Sequence, residues 1–225
     1  MELMLDTADL GEIKKGVEIY PISGVTTNPS IMQKAGAKDF FGHLSAIREI
    51  IGPDRSLHVQ VVREDCEGML EEAAKIRQKL GKNTIVKIPV NQEGLKAIKA
   101  LSKDGYSITA TAVYTTLQGI TAMLAGAKYI ATYYNRMLNV DIDAPRVIKE
   151  LSSMLWAQGG SCQVLAASFK NISEITTAYA SGASVCTVAY TLLEEGLNMP
   201  SIQHAINDFY DNWREIYGNK TILDL

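Results

Sequence analysis

A lysine interrupts a run that is otherwise fit for complete burial: Thr84-Ile85-Val86-Lys87-Ile88-Pro89-Val90. Successive side chains of a strand alternate faces, so Val86 and Ile88 point one way and Lys87 the other. In a barrel of parallel strands those directions are the helix-facing side and the interior. Taking an unpaired ammonium out of water is costly, so a lysine held there shifts its pKa down and populates the neutral amine. A neutral amine is what attack on a carbonyl to form a Schiff base requires. On Lys87 alone a second reading stays open, in which the side chain snorkels to the rim or pairs structurally with a carboxylate.

Other polar residues end or interrupt hydrophobic runs in the same way. Gln60, Thr111 and Tyr133 offer an amide, a hydroxyl and a phenol, a set able to hold a water and relay protons without a histidine. Asp6 is placed to hydrogen-bond Lys87 or a substrate hydroxyl, or simply to cap the helix that follows. Thr26 and Asn28 follow the second run. Arg136 and Ser168 could supply a guanidinium and a hydroxyl to a phosphate, although an arginine alone is as well explained by a surface ion pair. His58 lies two residues before Gln60, on the same face but deeper, and reads as a core histidine with a local hydrogen bond. Strand geometry splits Tyr133 from Tyr134, leaving Tyr133 as the phenol that faces the site.

Holding such residues together requires a scaffold, and the hydrophobic pattern supplies one. Short runs rich in Val, Ile and Thr predict eight strands, at about 2–6, 23–27, 56–62, 84–90, 107–113, 128–133, 161–168 and 183–188. Segments of helical period fall between them, at about 10–19, 40–51, 65–80, 93–103, 115–124, 143–156 and 173–180, with a short turn of helix at 29–34. Gly81, Gly105, Gly126 and Gly182 each follow a helix, where a left-handed residue is needed. Several strands are apolar on both faces, as parallel strands covered by helices should be. Eight such units predict a (β/α)8 TIM barrel, whose active site is built at the carboxyl ends of the strands. An open doubly wound sheet would carry a glycine-rich loop after its first strand, and Asp6-Thr7-Ala8-Asp9 is not one. A last helix, about 201–217, carries an apolar stripe of Ile202, Ile206, Phe209, Trp213, Ile216 and Tyr217, expected to pack on the barrel or a neighbouring subunit.

Composition narrows the function classes. With 225 residues, 47% hydrophobic and 21% charged, the chain can bury a large core and is expected to form one domain across 1–225. A net charge of −3 without charged blocks argues against nucleic acid. No apolar run approaches the ~18 residues of a membrane span. The opening Met-Glu-Leu-Met-Leu-Asp lacks the features of an export signal. Cys66, Cys162 and Cys186 lack CxxC or metal-type spacing, so reduced thiols and a cytoplasmic location are expected. His43, His58 and His204 are scattered and form no HxH or HExxH pattern, so no metal is expected.

The segments Leu5-Asp6-Thr7-Ala8-Asp9, Gly24-Val25-Thr26-Thr27-Asn28-Pro29-Ser30, Val86-Lys87-Ile88-Pro89, Thr111-Ala112-Val113-Tyr114 and Val164-Leu165-Ala166-Ala167-Ser168-Phe169-Lys170, in that order, resemble the transaldolase family over essentially the whole chain. The resemblance implies a class I aldolase barrel with Lys87 as the Schiff-base lysine and no metal or organic cofactor. It implies a sugar phosphate substrate, with Asp6 and Asn28 in the dihydroxyacetone pocket and Arg136 and Ser168 at the phosphate. Transaldolases proper generally carry a glutamate at the position of Gln60 and a phenylalanine at that of Tyr133. Here the aldolase branch is matched instead, implying reversible cleavage of fructose 6-phosphate to dihydroxyacetone and glyceraldehyde 3-phosphate. Transfer of the three-carbon unit to erythrose 4-phosphate, as in the pentose phosphate pathway, is the first alternative, and a silent sugar-phosphate-binding barrel the second. The family also implies a homo-oligomer, a pentamer or decamer, with the C-terminal helix reaching a neighbour.

Overall fold

Each predicted strand forms. The computed structural model describes residues 1–225, the side chain of Gln158 excepted. In chain order the elements are β1 (Glu2–Asp6), α1 (Leu10–Ile19), β2 (Ile22–Thr26), α2 (Pro29–Lys34), α3 (Phe40–Ile51), β3 (Ser56–Gln60), α4 (Cys66–Leu80), β4 (Thr84–Pro89), α5 (Gln92–Lys103), β5 (Ile108–Val113), α6 (Thr116–Leu124), β6 (Tyr129–Tyr133), α7 (Tyr134–Leu138), α8 (Ala144–Gln158), β7 (Gln163–Ala167), α9 (Ile172–Ala180), β8 (Val185–Val188), α10 (Tyr190–Leu197) and α11 (Pro200–Tyr217). The strands pair in sequence order, all parallel, and β8 closes on β1. This is the expected (β/α)8 TIM barrel, with the C-terminal helix present as α11.

Helix starts follow from polar caps. Asp9, Asp39, Asp65, Asn91, Asp143 and Asn171 each accept a hydrogen bond from a backbone N–H in the first turn of the helix that follows. Asp65, Thr115 and Asp143, expected as first helical residues, are therefore the caps themselves. Asn171 likewise starts α9 one residue before the expected Ser173. β3 stops at Gln60 rather than Val62, because the N–H groups of Val62 and Arg63 donate to Glu72 Oε2 at 2.7 and 3.1 Å instead of to a neighbouring strand. β7 stops at Ala167 because Ser168 has φ of +66°, outside the extended region.

Two apolar layers hold the barrel. Strand residues facing outward, among them Leu5, Val25, Val59, Val86, Ile88 and Ile130, are fully buried against helix residues such as Ile13, Leu44, Ile47, Ala73 and Ile98. Burying each of the larger side chains contributes about 1.5–3 kcal/mol. Inside, Met4, Ile85, Tyr129, Ala131, Leu165 and Val185 form one cluster. The barrel is thus a packed core, with most of its polar groups toward the carboxyl ends of the strands.

The chain divides into two compact units, Met1–Tyr190 with the barrel and Thr191–Leu225. In the second, α11 contains no buried residue, and Phe209 and Ile216 are more than two-thirds exposed. The Trp213 indole donates to the Lys220 carbonyl at 2.7 Å, and its ring lies 4.5 Å from that of Tyr217. Among the described residues no helix is long and apolar enough to cross a membrane, and Cys66, Cys162 and Cys186 are all free thiols.

Candidate active site

Strand register levels the polar residues. Gln60, Lys87 and Thr109 are paired across β3, β4 and β5, and Asp6, Thr26 and His58 across β1, β2 and β3. Paired residues of parallel strands share a face, so both rows look into the barrel. All of them but His58 line a cavity of about 260 Å³ at the carboxyl ends of the strands, together with Asn28, Tyr133, Arg136 and Ser168.

Lys87 is 5% exposed. Its Nζ donates to the Thr27 carbonyl oxygen at 2.9 Å, rather than to Asp6 as one expectation had it. A carbonyl carries no full charge, so this bond compensates burial only in part. Burial lowers the Lys87 pKa, and the Asp6 carboxylate opposes that by attraction. Asp6 moves the opposite way: burial raises its pKa against the pull of Lys87, the Thr26 hydrogen bond and Arg136. Both groups are thereby drawn toward their neutral forms.

Asp6 accepts from the Thr26 hydroxyl at 2.7 Å, and Thr26 Oγ1 lies 2.7 Å from Thr187 Oγ1. A hydroxyl has one proton, so Thr26 gives its own to Asp6 and accepts that of Thr187. The capping role considered for Asp6 belongs to Asp9. Asn28 caps α2 through its Oδ1, which accepts from the Ile31 N–H at 3.0 Å, leaving its amide NH2 for the cavity.

Tyr133 and Thr111 meet: the phenol oxygen and Thr111 Oγ1 are 2.9 Å apart. Burial raises the Tyr133 pKa, with Thr111 and Arg136 acting against it, so the phenol keeps its proton. Gln60 Oε1 is buried with no hydrogen-bond partner among the described residues. An unmatched acceptor costs free energy that an incoming donor recovers. Arg136 stacks over the Tyr133 ring, 4.9 Å from its centroid, and forms no salt bridge among the described residues. Its positive charge is available to an anion. Tyr134 turns away and is buried against Phe169.

His58 is fully buried, with Nδ1 2.8 Å from Thr109 Oγ1 and Nε2 3.1 Å from Ser56 Oγ. Burial first, then the charges of Lys87 and Lys128, lower its pKa to about 3. It is the core histidine that its position implied. Sequence reasoning passed over Thr187, Glu174 and the helix α7. Thr187 lay in a strand whose threonine suits burial as well as chemistry, and α7 is only five residues long. No group of three or more His, Cys, Asp or Glu side chains placed to hold a metal occurs among the described residues.

A family model described as Transaldolase/Fructose-6-phosphate aldolase matches residues 3–220. A protein of Streptococcus pneumoniae (strain ATCC 700669 / Spain 23F-1) named "Probable fructose-6-phosphate aldolase" is 48% identical over 222 residues, which cover 99% of this chain and 100% of that one.

Proposed function

The chain belongs to the transaldolase/fructose-6-phosphate aldolase family, and on that premise we propose that it is a class I aldolase that reversibly cleaves fructose 6-phosphate to dihydroxyacetone and glyceraldehyde 3-phosphate. The observation that carries this reading is Lys87: a buried amine with lowered pKa, held by one carbonyl, at the floor of a polar cavity. Its neutral nitrogen attacks C2 of the open-chain ketose, and loss of water with uptake of one proton from solvent leaves a protonated imine. Asp6, as its carboxylate, then removes the C4 hydroxyl proton, because burial keeps the Tyr133 phenol protonated. The C3–C4 bond breaks, its electron pair passes into the imine to give an enamine, and glyceraldehyde 3-phosphate departs. Tyr133 gives its phenol proton to C3 of the enamine, hydrolysis of the imine frees dihydroxyacetone and Lys87, and the proton held by Asp6 passes through water back to Tyr133.

The partnerless Gln60 oxygen and the Thr111–Tyr133 pair support a water held for those last steps. Thr26 and Asn28 serve the dihydroxyacetone end, and the uncompensated Arg136 with Ser168 serves the phosphate. Free thiols support a reducing, cytoplasmic setting, and the exposed apolar face of α11 supports a homo-oligomer. Sedimentation of a chain cut before Ser201 tests that assembly.

Fructose 6-phosphate supplied alone is expected to yield free dihydroxyacetone. Turnover only when erythrose 4-phosphate is added would show a transaldolase instead. Borohydride with dihydroxyacetone is expected to leave a reduced three-carbon adduct on Lys87 and none on Lys87→Ala; an unlabelled wild-type protein would leave only a silent binding barrel.

A further inference from the structure

A carboxylate outside the cavity joins the helix α7 to the loop after β7, the two segments that carry the anion-facing residues. Glu174, in the first turn of α9, is 8% exposed and has no basic partner within ion-pair distance among the described residues. Its two oxygens serve different segments. Oε1 accepts from Asn135 Nδ2 at 3.0 Å, and Asn135 immediately precedes Arg136. Oε2 accepts from the Lys170 backbone N–H at 2.7 Å, two residues after Ser168. A backbone bond runs alongside, from the Asn135 N–H to the Ser168 carbonyl at 3.1 Å.

This bridge is needed because α7 cannot locate itself. It has five residues and no side-chain cap at its N-terminus, and so short a helix is not stable alone. Ser168, on the loop after β7, holds the left-handed conformation that a serine rarely adopts, so this segment too is shaped by what surrounds it. The buried charge is offset by two directed donors and by the N-terminal end of α9, which favours a negative group. We propose that Glu174 is a positioning residue for substrate phosphate: by fixing Asn135 and Lys170 relative to each other, it sets the spacing of Arg136 and Ser168. The inference rests on the reading of those two residues as the phosphate subsite.

The joining of dihydroxyacetone to glyceraldehyde 3-phosphate is compared with its joining to unphosphorylated glyceraldehyde. Glu174→Ala is expected to lower kcat/KM for the phosphorylated aldehyde about 10–100-fold, mostly through KM, and for the unphosphorylated one less than about threefold. Glu174→Gln is expected to restore the phosphorylated reaction to within about threefold, because its carbonyl keeps the Lys170 bond and its NH2 meets Asn135 once that amide turns. Asn135→Ala removes one arm of the bridge and leaves α9 intact, and should show the same selective loss even if Glu174→Ala does not fold. Equal loss on both aldehydes, or no loss on either, overturns the positioning role. A wild-type protein indifferent to the phosphate overturns the subsite reading itself, and the positioning role with it.

Discussion

Tyr133 is the residue at which the proposed reaction differs most from simple imine chemistry. Its phenol bonds Thr111 at 2.9 Å, burial holds its proton on, and the ring lies under Arg136. Imine formation at Lys87 needs a neutral amine, a carbonyl and a proton on oxygen that water can supply, whereas release of dihydroxyacetone needs a proton delivered to carbon. Tyr133→Phe keeps the ring and its stacking but removes that proton. Cleavage of fructose 6-phosphate is therefore expected to fall about 10²–10⁴-fold, while borohydride trapping of dihydroxyacetone on Lys87 slows less than about tenfold. Steady-state rates set beside trapping time courses separate the two, and equal loss of both would contradict the assigned role. The sequence made Lys87 conspicuous because an ammonium in a run of Ile and Val breaks a strong pattern. Glu174 and Thr187 broke no pattern: an acid in a helix's first turn and a threonine in a strand each have an ordinary explanation, and only the fold shows that one spans two segments and the other feeds Asp6 through Thr26.

The junction of β4 and α5 shows how an element end sets the position of the reactive amine. Lys87 lies two residues before Pro89, whose carbonyl oxygen approaches the first turn of α5 so closely that a Cβ on Gly94 would fall far inside contact distance of it. Asn91 caps the same turn by accepting from the Gly94 N–H at 2.7 Å. Backbone cannot retreat as a flexible side chain can, so Gly94→Ala is expected to destabilise the protein by about 1–3 kcal/mol, a fall in Tm of about 2–12 °C for a chain of this size. Gly160→Ala, with nothing within 4 Å of the added carbon, should change stability by less than about 0.5 kcal/mol. Thermal unfolding of both reads the contrast, and equal shifts would remove the close approach as the cause. Strands and long helices were legible in the sequence because their periods and caps are local. Strand ends at Gln60 and Ala167 were not, because they depend on Glu72 reaching back to Val62 and on the turn at Ser168. The helix α7 was too short to show a period.

Across the barrel unit, the polar layer beneath the cavity has to be buried in its neutral form, and His58 ties this requirement to pH. The ring is fully buried, bonded on both nitrogens to hydroxyls, and its pKa is lowered to about 3, first by burial and then by the positive charges of Lys87 and Lys128. In the unfolded chain an ordinary histidine titrates near 6.5. Above that pH neither state takes up the proton, so His58 adds no pH dependence. As pH falls from about 6.5 toward 3, the unfolded chain binds a proton that the folded protein refuses, and stability is lost at up to about 1.4 kcal/mol per pH unit. Below about 3 both states are protonated and the loss stops growing. Raised Asp6 works in the opposite sense, so the overall slope mixes several groups and the histidine is isolated by difference. His58→Phe keeps the ring beside Tyr129, 5.1 Å between centroids in the wild type, but leaves Ser56 and Thr109 without their ring nitrogens. At pH 8 the variant is expected to be less stable by about 1–3 kcal/mol, the cost of stripping the buried Thr109 hydroxyl and the half-buried Ser56 hydroxyl of a partner. Because phenylalanine has nothing to protonate, the gap should close as pH falls below about 6.5 and reverse near pH 4. Urea unfolding of the two proteins from pH 8 to pH 4 measures it, and a gap that stays constant over that range would mean that His58 takes up its proton in the folded barrel.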